Sequence, residues 1–119
     1  MANESTWERL NAAIAAHGIY KTRLLDAIDS GDLTEFSAAT AGRDDQCAFG
    51  KWLHSEIDPS LKASSRYNKV KQLHASFHVS VAKAIIMAAG AKKAAQDTVQ
   101  DAATPLTLEL VAWKKEMDR

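Results

Sequence analysis

The sequence predicts an all-α protein, an antiparallel four-helix bundle of three long helices and one short helix that carries the only cysteine. Three observations point there. Apolar residues recur at steps of three and four along three long stretches. No stretch alternates apolar and polar residues over the length of a strand. The chain has 119 residues, enough for one core and not for two, so residues 1–119 read as a single domain.

The first helix is expected over about residues 4–29, where Trp7, Leu10, Ile14, His17, Leu24 and Ile28 share one stripe. Asn3 or Ser5 is suited to cap its start, and Gly31 to take the left-handed position after its end. Residues 32–45 read as connection, with a short helical turn over 33–37. Gly42 and the aspartates Asp44 and Asp45 break the chain and cap the next segment. A short helix is expected over 46–54, in "QCAFGKWLHSE", with Phe49, Trp52 and Leu53 as its few apolar anchors. Asp58-Pro59 closes that region. A long helix begins at about Ser64 or Ser65, with Val70, Leu73, His74, Phe77, Val81, Ala84, Ile85 and Ala88 as its buried stripe, and Gly90 weakens its end. The last helix is expected over about 94–118, with Val99, Ala102, Leu106, Leu110, Trp113 and Met117 on one face. Pro105 should kink it or mark a restart capped by Thr104.

Composition removes several function classes. The 46% apolar and 25% charged fractions are those of a soluble globular chain. Fifteen basic residues balance fifteen acidic ones, which argues against a nucleic-acid partner held by broad phosphate neutralisation. No apolar run is long enough to cross a bilayer, so no membrane partner is expected. "MANESTWERL" lacks the basic-then-apolar pattern of a secretory signal, and one cysteine forms no intrachain disulfide. A reducing cytoplasm is the expected location.

Chemistry concentrates in four residues. His74 and His78, four apart in "QLHASFHVSV", share a helix face. His17 lies on the apolar stripe of the first helix. Three inward imidazoles in so small a core are costly unless something satisfies them together. Zinc would do so, since it takes four ligands and accepts imidazole and thiolate. Cys47, beside the anchors Phe49 and Trp52, supplies a fourth ligand from a third element. By themselves, a histidine pair at this spacing is commonly a surface or half-buried pair, and a single cysteine a small core hydrophobe. His54, near the end of the short helix, reads as exposed and outside any metal site. "HASFH" lacks the glutamate of H-E-x-x-H, and four protein ligands leave no position for a catalytic water, so no enzyme is expected. There is no glycine-rich phosphate loop, no C-x-x-C-H haem attachment and no Glu-x-x-His pair for a di-iron centre.

These residues resemble a known family, the chemoreceptor zinc-binding (CZB) domain. The resemblance rests on His17, "CAFGKWL" from Cys47 to Leu53 and "HASFH" from His74 to His78, in that order and spacing, and on "HGIYKTRLLDAI" at 17–28. It covers roughly residues 7–90. It implies a four-helix bundle that binds one zinc through His17, Cys47, His74 and His78. It also implies a bacterial, cytoplasmic sensory module, responsive to zinc availability, pH or oxidants such as hypochlorous acid, with Cys47 as the redox-reactive group. Family members act with chemotaxis receptors or diguanylate cyclases, hence in cyclic di-GMP signalling, or alone. The cyclase-linked ones are homodimers. Neither a coiled-coil receptor hairpin nor a cyclase accompanies the domain in these residues. The tryptophans Trp7 and Trp113 on the first and last helices add to the expectation of a homodimer.

Overall fold

The computed structural model of the chain describes residues 2–43 and 47–117. Every regular element among them is helical. In chain order they are α1 (Ala2–Ser30), α2 (Ala38–Ala41), α3 (Ala48–Lys51), α4 (Ser65–Met87) and α5 (Lys92–Met117). A π-helical turn (Trp52–Glu56) and a 3₁₀ turn (Pro59–Ala63) lie between α3 and α4. At 29 residues, α1 is about 43 Å long at 1.5 Å per residue, nearly the whole 47 Å length of the molecule.

The long helices follow their apolar stripes. Leu10, Leu24 and Ile28 of α1, Val70, Phe77, Val81 and Ala84 of α4, and Val99, Leu106, Leu110 and Trp113 of α5 are buried together. Helix α5 packs against both α1 and α4, and α2 packs on α4. The stripes also contain small or polar residues that the sequence pattern passes over: Thr6, Ala13, Tyr67, Ala95 and Ala103 are all buried. Trp113 is 1% exposed in the core of its own chain, so it offers no face to a second copy. Polar ties join the helix ends. Arg66 at the start of α4 pairs with Glu109 and Glu116 of α5. Lys114 donates to the Asn11 side chain at 3.0 Å, and Lys92 to the Asp29 carbonyl at 2.7 Å.

Several boundaries differ from expectation, each for a local reason. Helix α1 is already formed at Ala2, so neither Asn3 nor Ser5 caps it. Its end agrees with expectation: Gly31 has φ +86°, where a Cβ would be strained. Residues 33–37 form turns and not a helix, and the helical turn falls just after them, over Ala38–Ala41. A Cβ at Gly42 would lie 3.2 Å from the Ala82 Cβ, so glycine lets this loop pass close to α4. Asp44 and Asp45, expected as caps, lie outside the described residues, as do Gln46 and Asp118. The cap of α3 is Cys47 itself, whose Sγ accepts the Gly50 N–H at 3.3 Å.

The expected short helix over 46–54 is α only as far as Lys51. It then widens into the π turn, where the Ile57 N–H reaches back to the Trp52 carbonyl. The Tyr67 hydroxyl donates to the Leu53 carbonyl inside that turn at 3.1 Å, which supplies a partner for a backbone group in buried surroundings. Ser64 caps α4, its Oγ accepting the Tyr67 N–H at 3.0 Å. Helix α5 runs unbroken through Pro105, which is exposed, so there is no restart. Thr104 is not a cap: its hydroxyl donates back to the Gln100 carbonyl at 3.1 Å.

Candidate metal centre

The site forms where α1, the α3 segment and the middle of α4 meet. Phe49, Trp52, Leu53 and Ile57 are each at most 7% exposed and seat the α3 segment on the long helices. That fixes Cys47 at the head of α3. His74 and His78 lie one turn apart on the buried face of α4, and His17 reaches across from α1. One ligand atom from each of His17, Cys47, His74 and His78 lies within 4.8 Å of all the others. His74 is fully buried and His78 nearly so, whereas His17 and Cys47 are half-buried.

Backbone carbonyls set two of the imidazoles. A carbonyl only accepts, so the 2.8 Å contacts of His17 Nδ1 with Ala13 O and of His78 Nδ1 with Ala41 O require N–H at both Nδ1 atoms. In the neutral rings Nε2 then carries the lone pair, directed away from these backbone partners. The carbonyl behind His78 comes from α2, which gives that short helix a role in the site. His74 Nδ1 is buried without a hydrogen-bond partner. Phe49 stands edge-on over His74 and His17, with ring centroids 5.0 and 5.8 Å away, and Phe77 stands beside His17 at 5.5 Å.

Spacing tests whether a metal suits these donors. Zn–N bonds of about 2.05 Å and a Zn–S bond of about 2.3 Å put the corners of a tetrahedron about 3.3 Å apart for N and N and about 3.6 Å for N and S. The observed distances are 3.1 Å between His74 Nε2 and His78 Nε2, and 3.4 and 3.7 Å from Cys47 Sγ to those two atoms. The donor set suits zinc in chemistry, Cys47, His74 and His78 suit it in spacing, and the His17 donor lies within 4.8 Å of those three. Burial also keeps the His74 and His17 imidazoles neutral, as ligation requires. Burial pushes the His74 pKa down to about 2, reinforced by neighbouring His78, His17 and His54, and burial lowers that of His17 as well.

The structure therefore brings together all four residues singled out from the sequence. His54 is not among them, but it is half-buried, not exposed. It lies in the π turn, and its carbonyl accepts the Lys62 ammonium at 3.0 Å. Sequence reasoning missed the orienting carbonyls of Ala13 and Ala41. The first sits one helical turn before His17 and was legible from the i−4 spacing. The second has no residue-type signal, because any residue carries that carbonyl.

A helical fold with a three-histidine, one-cysteine cluster at its waist has the donor set of a metal-binding module. The chain belongs to the chemoreceptor zinc-binding (CZB) domain family, whose profile matches residues 17–85, more than half of its length. The match opens on His17 and encloses Cys47, His74 and His78. No curated protein and no solved structure matches the chain. No helix among the described residues is long and apolar enough to cross a membrane.

Proposed function

We propose that His17, Cys47, His74 and His78 hold one zinc ion, and that the chain is a cytoplasmic bacterial sensory domain and not an enzyme. The observation that carries this reading is the convergence of four donors from three separate elements within 4.8 Å of one another, with Cys47, His74 and His78 spaced as three corners of a zinc tetrahedron. Residues 1–119 act as one domain, with α5 antiparallel to both α1 and α4. Supporting that, the start of α4 is tied to the end of α5, and Lys92 and Lys114 tie opposite ends of α5 to opposite ends of α1.

Zinc, when bound, keeps the Cys47 thiol deprotonated and joins the α3 segment to α1 and α4. Cys47 is one of the two half-buried ligands, with His17, and is the redox-reactive one. Its oxidation to a sulfenic acid replaces an anionic donor with a poor one and leaves three neutral imidazoles. Loss of zinc or oxidation of Cys47 then loosens α3, and that change is the signal. Zinc availability or an oxidant such as hypochlorous acid is the stimulus, and a chemoreceptor or a diguanylate cyclase is the partner. A homodimer suits this role. With Trp113 buried, its contact would have to use exposed residues such as Ile19 of α1 and Leu108 of α5.

One observation favours a second reading, a structural or dimerisation bundle that zinc only stabilises. Phe49, Trp52, Leu53 and Ile57 bury the α3 segment more deeply than its few apolar residues promised. One experiment decides both points. Metal analysis of the purified protein should give one zinc per chain, and Cys47→Ser should lower the affinity sharply. Hydrogen exchange over residues 47–56 should then rise on chelation or on titration with hypochlorous acid. A chain without zinc refutes the site, whereas unchanged exchange after zinc loss leaves the structural reading.

A further inference from the structure

Among the described residues, a cavity of about 290 Å³ opens beside the metal cluster. Ala16, Tyr20, Ala41, Ala48 and Phe49 give it walls that are mostly carbon, Cys47 lines it as well, and Arg43 adds a cationic residue. His17 and His78 also border it, whereas the fully buried His74 does not. Among the described residues, the pocket therefore reaches the cluster on the side where Cys47, its nucleophile, lies. Hypochlorous acid and peroxide are scarcely larger than water, which takes about 30 Å³ in the liquid, so neither needs such a space. At close to 300 Å³ with apolar walls, the pocket is at the small end of organic-ligand sites.

The geometry points to Cys47 as an alkylation site for small apolar electrophiles of the α,β-unsaturated carbonyl class, selected by the pocket walled by Ala16, Tyr20, Ala48 and Phe49. The Cys47 Sγ electron pair forms a C–S bond to the β-carbon. The C=C π pair moves to the α-carbon, which takes a proton from solvent. No external oxidant or reductant is consumed. The product is a neutral thioether in place of a thiolate, so the cluster loses its anionic donor as it would on oxidation. That consequence rests on the zinc reading above, whereas the selectivity of the pocket does not. Ala16 and Ala48 are solvent-exposed and hold no metal, so the pocket can be altered without touching a ligand.

The test uses the full chain with N-phenylmaleimide and N-methylmaleimide, and tracks the Cys47 adduct by intact and peptide mass spectrometry. The ratio of the two rates is compared with the same ratio for glutathione, which removes intrinsic reactivity. Seating a phenyl ring on the pocket walls should raise the protein's ratio about tenfold over that of glutathione. Ala16→Phe, or Ala48→Phe if the first does not fold, should return it to the glutathione value. A wild-type ratio equal to that of glutathione overturns the proposal, as does a raised ratio that survives both substitutions in folded protein. Zinc is counted on the same samples. A chain without zinc sinks the sensor reading but still reports the ratio, and a zinc-loaded chain without selectivity sinks only the pocket.

Discussion

Stripping the metal should leave a protein whose stability depends on pH through His74. The side chain is 0% exposed, and burial, together with the neighbouring imidazoles, lowers its pKa from 6.5 to about 2. Above pH 6.5 the ring is neutral in both folded and unfolded chains. Below it the unfolded chain binds a proton that the folded chain refuses. Unfolding therefore takes up a proton, and stability falls as pH falls from 6.5 towards the folded value. The slope is about 1.4 kcal/mol per pH unit for one group, so at pH 5, well above the folded value, His74 alone removes about 2 kcal/mol. His17, lowered in the same direction, adds to the loss. Against a total of about 5–15 kcal/mol for a domain, the effect is large. The assay is urea unfolding of chelator-treated protein monitored by circular dichroism, at several values between about pH 7.5 and pH 5. His74→Leu should remove most of the slope. Flat stability across this window in the metal-free protein, or an unchanged slope in His74→Leu, would refute the reasoning.

Other perturbations test the frame around the site. Trp52→Ala removes a side chain 5% exposed between Phe49 and Trp113, and should cost about 3–5 kcal/mol in denaturant unfolding. Tyr67→Phe deletes the buried bond to the Leu53 carbonyl, and should cost about 1–2 kcal/mol and speed hydrogen exchange in residues 52–57. Gly31→Ala forces a Cβ onto a backbone at φ +86°, and should cost about 1 kcal/mol, read as a drop of a few degrees in thermal midpoint. With zinc present, affinity should fall steeply only where acid begins to unfold the metal-free chain, since burial keeps His74 and His17 unprotonated in the fold and they compete with metal by taking protons once released from it; isothermal titration in buffers of different ionisation enthalpy counts those protons.

The sequence by itself determined the helical class, because a 3.6-residue apolar period is a local property and needs no knowledge of neighbours. It also singled out the four residues that cluster in the fold. Three histidines on inward stripes and one cysteine beside aromatic anchors are costly in a core unless they meet. Gly31 after α1 was legible for the same local reason, since the left-handed turn that ends a helix is set within a few residues. What periodicity lacks is distance between elements. Only the tertiary structure decided that the four donors converge, that the Ala41 carbonyl sets the His78 tautomer, and that Trp113 turns inward and not towards a second copy. It likewise decided that α3 stops at Lys51. The π turn beyond Lys51 depends on the Tyr67 hydroxyl arriving from α4 and on Ile57 finding a place in the core, two long-range contacts that outweigh the local preference for a continuous α-helix. Pro105 shows the opposite balance. Its local tendency to break a helix yields to Ala103, Leu106 and Leu110, whose burial holds α5 together on either side of it.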